Sequence, residues 1–197
     1  KCHENIALLS DNNDSQLTVE KCVFVRNGVA VQSINDSAYD INESKFEDNG
    51  IHIEVGSNAK GTVKASNFQL SANGIGVNIA ENGSATFDNC DIRDEAKTGI
   101  ANGGNLTLTN STIEDCGVTG VYWYGNSTGE ISANKIIKNG PCGIQIMKGD
   151  VSIHDNEIKG HHAFGIHVDK NASTRIENNE MSKNLQKDVN YEGHEVQ

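Results

Sequence analysis

Six residues in the second half of the chain combine side chains suited to recognition: Tyr122, Tyr124, Gln145, Met147, His167 and Asp169. Tyrosine rings stack on sugar faces or anchor protein interfaces, and amide and carboxylate neighbours orient what they hold. The spacing groups them. Tyr122, Gln145 and His167 are 23 and 22 residues apart, and Tyr124, Met147 and Asp169 follow two residues behind each. Residues two apart on a strand share a face, so strands stacked at that period would make one patch. Small residues, Gly76, Ala101 and Gly103, are expected to leave an open shelf beside it. The plainer alternative is a decorated sheet surface whose aromatics only stabilise cross-strand neighbours.

Other constellations carry less. His161 and His162, with Asp150 and Asp155 nearby, have the side chains to bind metal or move protons, yet their polar surroundings read as a solvated turn. Asp- and Asn-rich turns such as 11–14 and 88–91 offer oxygens for calcium, but the calcium-binding glycine-rich nonapeptide is absent. A threonine column, Thr62, Thr86 and Thr107, would suit ice binding were it not broken by Asp40, Glu130 and Arg175. Glu54 and Asp169 are expected to face outward but lie several repeats apart, too far to flank one glycosidic bond. No catalytic residue, metal ligand or cofactor site is assigned.

The elements behind the patch come from an internal repeat. An apolar residue followed five positions later by another recurs eight times: Val19/Phe24, Ile41/Phe46, Val63/Phe68, Phe87/Ile92, Leu108/Ile113, Ile131/Ile136, Ile153/Ile158 and Ile176/Met181. The intervals are 22, 22, 24, 21, 23, 22 and 23 residues. Short alternating runs bounded by turn residues read as strands. No window offers the helical periodicity an α/β unit needs, and the leucine-rich pattern is missing. The expected fold is all-β, a single-stranded parallel β-helix of about eight coils, right-handed by the usual crossover preference.

Two residues before each second apolar member stands a small or polar residue: Cys22, Ser44, Ser66, Cys90, Ser111, Asn134, Asn156 and Asn179. The three asparagines are expected to stack as an amide ladder. Gly28, Gly50, Gly74, Gly99, Gly120, Gly143 and Gly165 each precede Val or Ile. Counting from them gives two outward columns. One is Ala30, His52, Gly76, Ala101, Tyr122, Gln145 and His167; the other is Gln32, Glu54, Asn78, Gly103, Tyr124, Met147 and Asp169. Trp123 should point inward.

Residues 1–15 read as the end of a preceding coil and a turn, 16–184 as the β-helix and 185–197 as an irregular cap or tail. Ile6 and Leu8 fit a last strand of an earlier coil, so a longer parent protein is expected. The net charge of −11 argues against nucleic acid. No stretch has the ~20 apolar residues of a membrane helix. The five cysteines lack metal spacing, and Cys22 and Cys90 are three coils apart, too far for a disulfide. Buried reduced thiols suggest a reducing compartment. Eight N-x-S/T sequons (Asn13, Asn35, Asn42, Asn82, Asn105, Asn110, Asn126 and Asn171) suggest the opposite, so localisation stays open.

The pattern N-x-I, polar turn, G-I-x-V resembles the parallel β-helix repeats of carbohydrate-binding proteins and sugar hydrolases. The run G-V-Y-W-Y-G-N-S-T-G-E-I-S-A-N-K-I at 120–136 is similar to the β-helical region of an F-box ubiquitin-ligase substrate receptor. The resemblance covers roughly residues 15–185 and implies the fold far more than an activity. Its hydrolase members imply D-D, H-G and R-x-K motifs, its lyases R-x-P-x-x-R, and its epimerases D-P-H-E; none occurs here. The expectation is therefore a non-catalytic module binding a glycan or a protein partner through the Tyr122 face. The alternatives are a polysaccharide-active enzyme or a structural spacer.

Overall fold

The computed structural model describes residues 5–12 and 15–192. The Asn13 sequon, Cys2 and the last five residues of the expected tail lie outside the described residues. Each repeat supplies three short strands, and each strand pairs in parallel with its counterpart one repeat away. Three sheets of nine, eight and eight strands result, called A, B and C here. In one coil, Thr128–Ser132 lies in sheet B, Lys135–Ile137 in C and Cys142–Ile146 in A. This is a parallel β-helix, and no α-helix occurs among the described residues.

The repeat's apolar pairs form the core. Ile131, Ile153 and Ile176 align on sheet B, and Ile136, Ile158 and Met181 on sheet C. Val77, Ile100, Val121, Ile144 and Ile166 align on sheet A and are fully buried. Burying one such side chain stabilises by about 1.5–3 kcal/mol. Phe24, Phe46 and Phe68 stack along the axis with ring centres 4.9 and 4.8 Å apart. Large and small residues alternate where volume demands it. A Cβ on Gly61 would stand 2.6 Å from the Tyr39 ring, and one on Gly129 2.5 Å from the inward Trp123.

Two corners per coil turn on one left-handed residue each. Between sheets B and C these are Lys21, Glu43, Ala65, Asn89, Asn110, Ala133, Asp155 and Asn178, with φ between 46° and 57°. Between C and A they are Arg26, Asp48, Leu70, Asp94, Asp115, Lys138, Gly160 and Lys183. A non-glycine residue there costs roughly 1–2 kcal/mol. The residue immediately after each turns inward, and in most coils its side chain closes a hydrogen bond with the coil before it; Ser71, whose hydroxyl is buried without a partner among the described residues, is an exception. At the B–C corner, Ser44 Oγ accepts from Cys22 N–H at 3.2 Å, Asn134 Oδ1 from Ser111 N–H at 2.9 Å and Asn156 Oδ1 from Asn134 N–H at 2.9 Å. Asn156 Nδ2 also donates to Asn179 Oδ1 at 2.9 Å. Cys22 itself, expected inside, is exposed because it sits in the first coil of this column.

The pairing corrects the outward columns. Val77 aligns with Ile53 on one side and Ile100 on the other, so His52 and Gly76 share a row with Gly99, Gly120, Gly143 and Gly165. Gly28, Gly50 and Gly74 belong two positions earlier. The true outward row is Gln32, Glu54, Asn78, Ala101, Tyr122, Gln145 and His167. Ala30 and His52 are fully buried, contrary to the outward placement. In the stretch expected to be irregular, Lys187–Tyr191 forms a further strand of sheet A beside Phe164–Val168. Val189 is its inward residue, aligned with Ile166.

Ala133 is exposed and held at φ 56°. Ala133→Gly removes the left-handed penalty and offsets it with the greater freedom of glycine in the unfolded chain. The expected outcome is a gain of about 0.5–1 kcal/mol, read as a raised midpoint in urea unfolding. A lowered midpoint would show that the corner does not carry this strain.

Candidate functional site

The three faces differ in what they leave for a ligand. Sheet C is neutralised by its own ion pairs. Glu114 accepts from Lys138 Nζ at 2.9 Å and pairs with Arg93, which also holds Asp91. The Lys138 hydrogen bond keeps the Glu114 carboxyl below the usual range. Sheet B carries His154 between Asp155 (Nδ1 to Oδ2, 2.8 Å) and Glu130 (Nε2 to Oε1, 3.4 Å). The Asp155 hydrogen bond raises the His154 pKa. Arg175, paired with Glu177 at 2.9 Å, completes that charged surface.

Sheet A presents the aromatic group. Tyr122 aligns with Gln145 and Gln145 with His167, so these three share one outward row. Tyr122 and Tyr124 are half-buried, with ring centres 5.9 Å apart. Tyr124 lies across the supposed shelf. A Cβ on Gly103 would meet its ring at 2.7 Å, and its hydroxyl donates to Ile79 O at 3.2 Å. Burial raises the Tyr124 pKa. Ala101 is also buried. The small residues therefore seat a tyrosine and leave no open shelf there.

The other four residues divide. Gln145 Nε2 stands 3.5 Å from Met147 Sδ, and both are half-buried. His167 is only 8% exposed. Its ring stacks on Phe164 at 5.5 Å, its Nδ1 lies 3.0 Å from Asn190 Nδ2, and Glu192 is 3.7 Å from Nε2. The additional strand thus covers it. Asp169 accepts from the backbone and side-chain N–H groups of Asn171 at 2.9 and 2.7 Å, which lowers its pKa. It organises the A–B corner. Tyr122, Tyr124, Gln145 and Met147 remain as a contiguous patch.

Sequence reasoning missed the second corner column, three residues after each sheet C apolar residue: Asn27, Asn49, Ser71, Glu95, Cys116, Asn139, His161 and Asn184. That fixed offset was readable, but five side-chain chemistries hide it. Asn49 Oδ1 accepts from Asn27 N–H at 2.9 Å, Glu95 Oε2 from Ser71 N–H at 2.7 Å and Asn139 Oδ1 from Cys116 N–H at 3.0 Å. His161 belongs here and not to a solvated turn: it is fully buried, while His162 beside it is exposed. Its Nδ1 accepts from Asn139 N–H at 3.1 Å and its Nε2 faces Ile136 O at 3.1 Å.

His52 joins the same column from the side. Its Nδ1 lies 3.1 Å from Asn49 Nδ2 and its Nε2 3.1 Å from Glu95 Oε1. The arrangement has the parts of a proton relay, but His52 and Glu95 have no exposed side-chain surface, so no substrate reaches it. The buried thiols are similarly withdrawn from chemistry: burial pushes Cys90 and Cys142 up to about 11 and Cys116 to about 12. Among the described residues no cluster of three His, Cys, Asp or Glu is placed to hold a metal, and no helix is long and apolar enough to cross a membrane.

A family model described as a right-handed β-helix region matches residues 7–150 and 99–196. No curated protein matches the chain. Among solved structures, pectate lyase Pel9A is 12% identical with a TM-score of 0.44, over 95% of this chain and 65% of that one. The plasmid-mediated fluoroquinolone resistance protein QnrB1 is 11% identical with a TM-score of 0.31, over 91% of this chain and 92% of that one.

The buried His161 sets a pH dependence. Burial lowers its pKa, so the folded protein resists a proton that the unfolded chain accepts below about pH 6.5. The stability tied to its neutral form is present above that pH and is lost as pH falls towards the lowered folded value. Asparagine, the residue at 139 and 184 in the same column, does not titrate. His161→Asn should lose fewer degrees of melting temperature between pH 7.5 and 5.5 than the wild type. Equal losses would remove His161 from the acid response.

Proposed function

The chain belongs to the right-handed β-helix family, and on that footing we propose that it is a non-catalytic recognition module. It binds a glycan or a protein partner through the outward face of sheet A. The observation carrying this reading is the Tyr122–Tyr124 pair, two rings 5.9 Å apart on a rigid sheet with Gln145 and Met147 one coil on. Aromatic rings with an adjacent amide suit a sugar face or the centre of a protein contact. A rigid sheet loses little entropy in holding them. His167 and Asp169 support the patch from its edge: one packs under the last strand, the other fixes the corner. The hydrogen-bonded amides of Asn134, Asn156 and Asn179 are read as an Asn ladder with an architectural role.

A second reading, a polysaccharide-active enzyme, draws on one observation. His154 stands between Glu130 and Asp155 with Arg175 one coil away, a grouping able to move protons and hold an anion. Polyuronate turnover lost on Glu130→Gln would favour it.

The recognition reading is tested by Tyr122→Ala/Tyr124→Ala in a glycan array and a partner pull-down, after circular dichroism has shown that the variant is folded. The expected outcome is at least a tenfold loss of the ligand the wild type retains, about 1.4 kcal/mol or more. Unchanged binding in the folded variant would remove the site from this face.

A further inference from the structure

Beside the tyrosine face, the corner between sheets A and B holds an open groove. Two adjoining cavities make it, of about 360 and 510 Å³, sharing Asn126, Ser127 and Thr128. Its lining passes from Asn82 through Asn105, Thr128 and Asp150 to Ser173, across four coil steps. Thr128 aligns with Asp150 and Asp150 with Ser173, and Asn105 Oδ1 accepts from Thr128 N–H at 3.3 Å. At ~4.8 Å per step the groove runs about 19 Å along the axis.

Backbone close to backbone builds its floor. A Cβ on Gly104 would stand 2.2 Å from Gly83 O, and one on Gly149, at φ +91°, 2.4 Å from Ser127 O. Side chains are thus kept out of the channel, as happens where a ligand approaches main chain closely. The walls are amides and hydroxyls. Asn82 and Asn126 are exposed and make no side-chain hydrogen bond among the described residues. Each offers both a donor and an acceptor.

We propose that this groove binds an extended, uncharged polyhydroxylated chain, a neutral glycan, lying parallel to the axis. The exposed amides of Asn82 and Asn126, each a donor and an acceptor, match sugar hydroxyls, which need both. The charge excludes an acidic chain: the lining carries Glu81 and Asp150 against Lys170 alone, on a protein of net charge −11. A peptide would need apolar recesses for its side chains, and the lining residues are Asn, Ser, Thr, Gly, Ala and these three charged groups. The inference shares the recognition role proposed above but uses a different surface.

The test titrates neutral β-glucan, xylan and mannan hexasaccharides and, separately, hexagalacturonate into the wild type, Asn126→Trp and Tyr122→Ala. Asn126 is exposed, so tryptophan there fills the groove without entering the core, and circular dichroism checks the fold. The expected result is binding of at least one neutral hexasaccharide, weakened tenfold or more by Asn126→Trp and less than twofold by Tyr122→Ala, with no hexagalacturonate binding. No neutral binding, preference for hexagalacturonate, or neutral binding unaffected by a folded Asn126→Trp would overturn it. Loss in Tyr122→Ala with retention in Asn126→Trp would sink the groove while leaving the tyrosine face standing.

Discussion

At two corners of each coil, B–C and C–A, the chain bends through one left-handed residue, and the backbone N–H that follows it is not satisfied within its own coil. The side chain one coil on supplies the acceptor, as Asn156 does for Asn134 and His161 for Asn139. A buried donor left without an acceptor costs about 1–3 kcal/mol. The inward corner residues are therefore tied to one another along the axis, and the strands between them are held in register. Apolar burial supplies most of the driving force, but the corners decide which residue of each coil sits over which residue of the next.

That constraint also decides what is free to do chemistry. Inward positions are committed to the core or to the corner columns, even where the residues look catalytic. His52, Asn49 and Glu95 form a hydrogen-bonded array with no access to solvent. Solvent-facing surface is left to outward rows and to the A–B corner, where no one left-handed position recurs in every coil. Tyr122 and Tyr124 belong to the first, and the glycine-floored groove at the A–B corner to the second. The two surfaces adjoin, since Tyr124 lies over Gly103 and the groove continues through Gly104.

Much of this was legible in the sequence, for a physical reason. Apolar pairs such as Ile131/Ile136 and Ile153/Ile158 must stack, so their period survives every change in loop chemistry. The small or polar residue two places before Ile136 or Ile158 was equally plain, because it stays Asn, Ser or Cys. The glycines misled. Gly50 and Gly74 precede a β-branched residue as Gly143 and Gly165 do, yet the two sets stand two positions apart in the coil. Period-2 alternation keeps both on the same parity, so only strand pairing separates them. His161 was hidden because its column mixes Asn, Ser, Glu, Cys and His, which share an acceptor atom and not a residue type. His167 was visible as outward, but its covering strand, Lys187–Tyr191, is too polar to announce itself.

The most direct test is hydrogen exchange on Asn156→Ala. Asn156 accepts from Asn134 N–H and Nδ2 and donates to Ile131 O, His154 O and Asn179 Oδ1, so its loss opens the corner on both sides. Stability shared between neighbouring coils should make the damage spread. The account predicts lost protection in the strands at Thr128–Ser132, Gly149–His154 and Ala172–Glu177 together, with unchanged protection at Ala38–Asn42. Protection lost only at the Asn134 amide, with the three strands as slow to exchange as before, would contradict it.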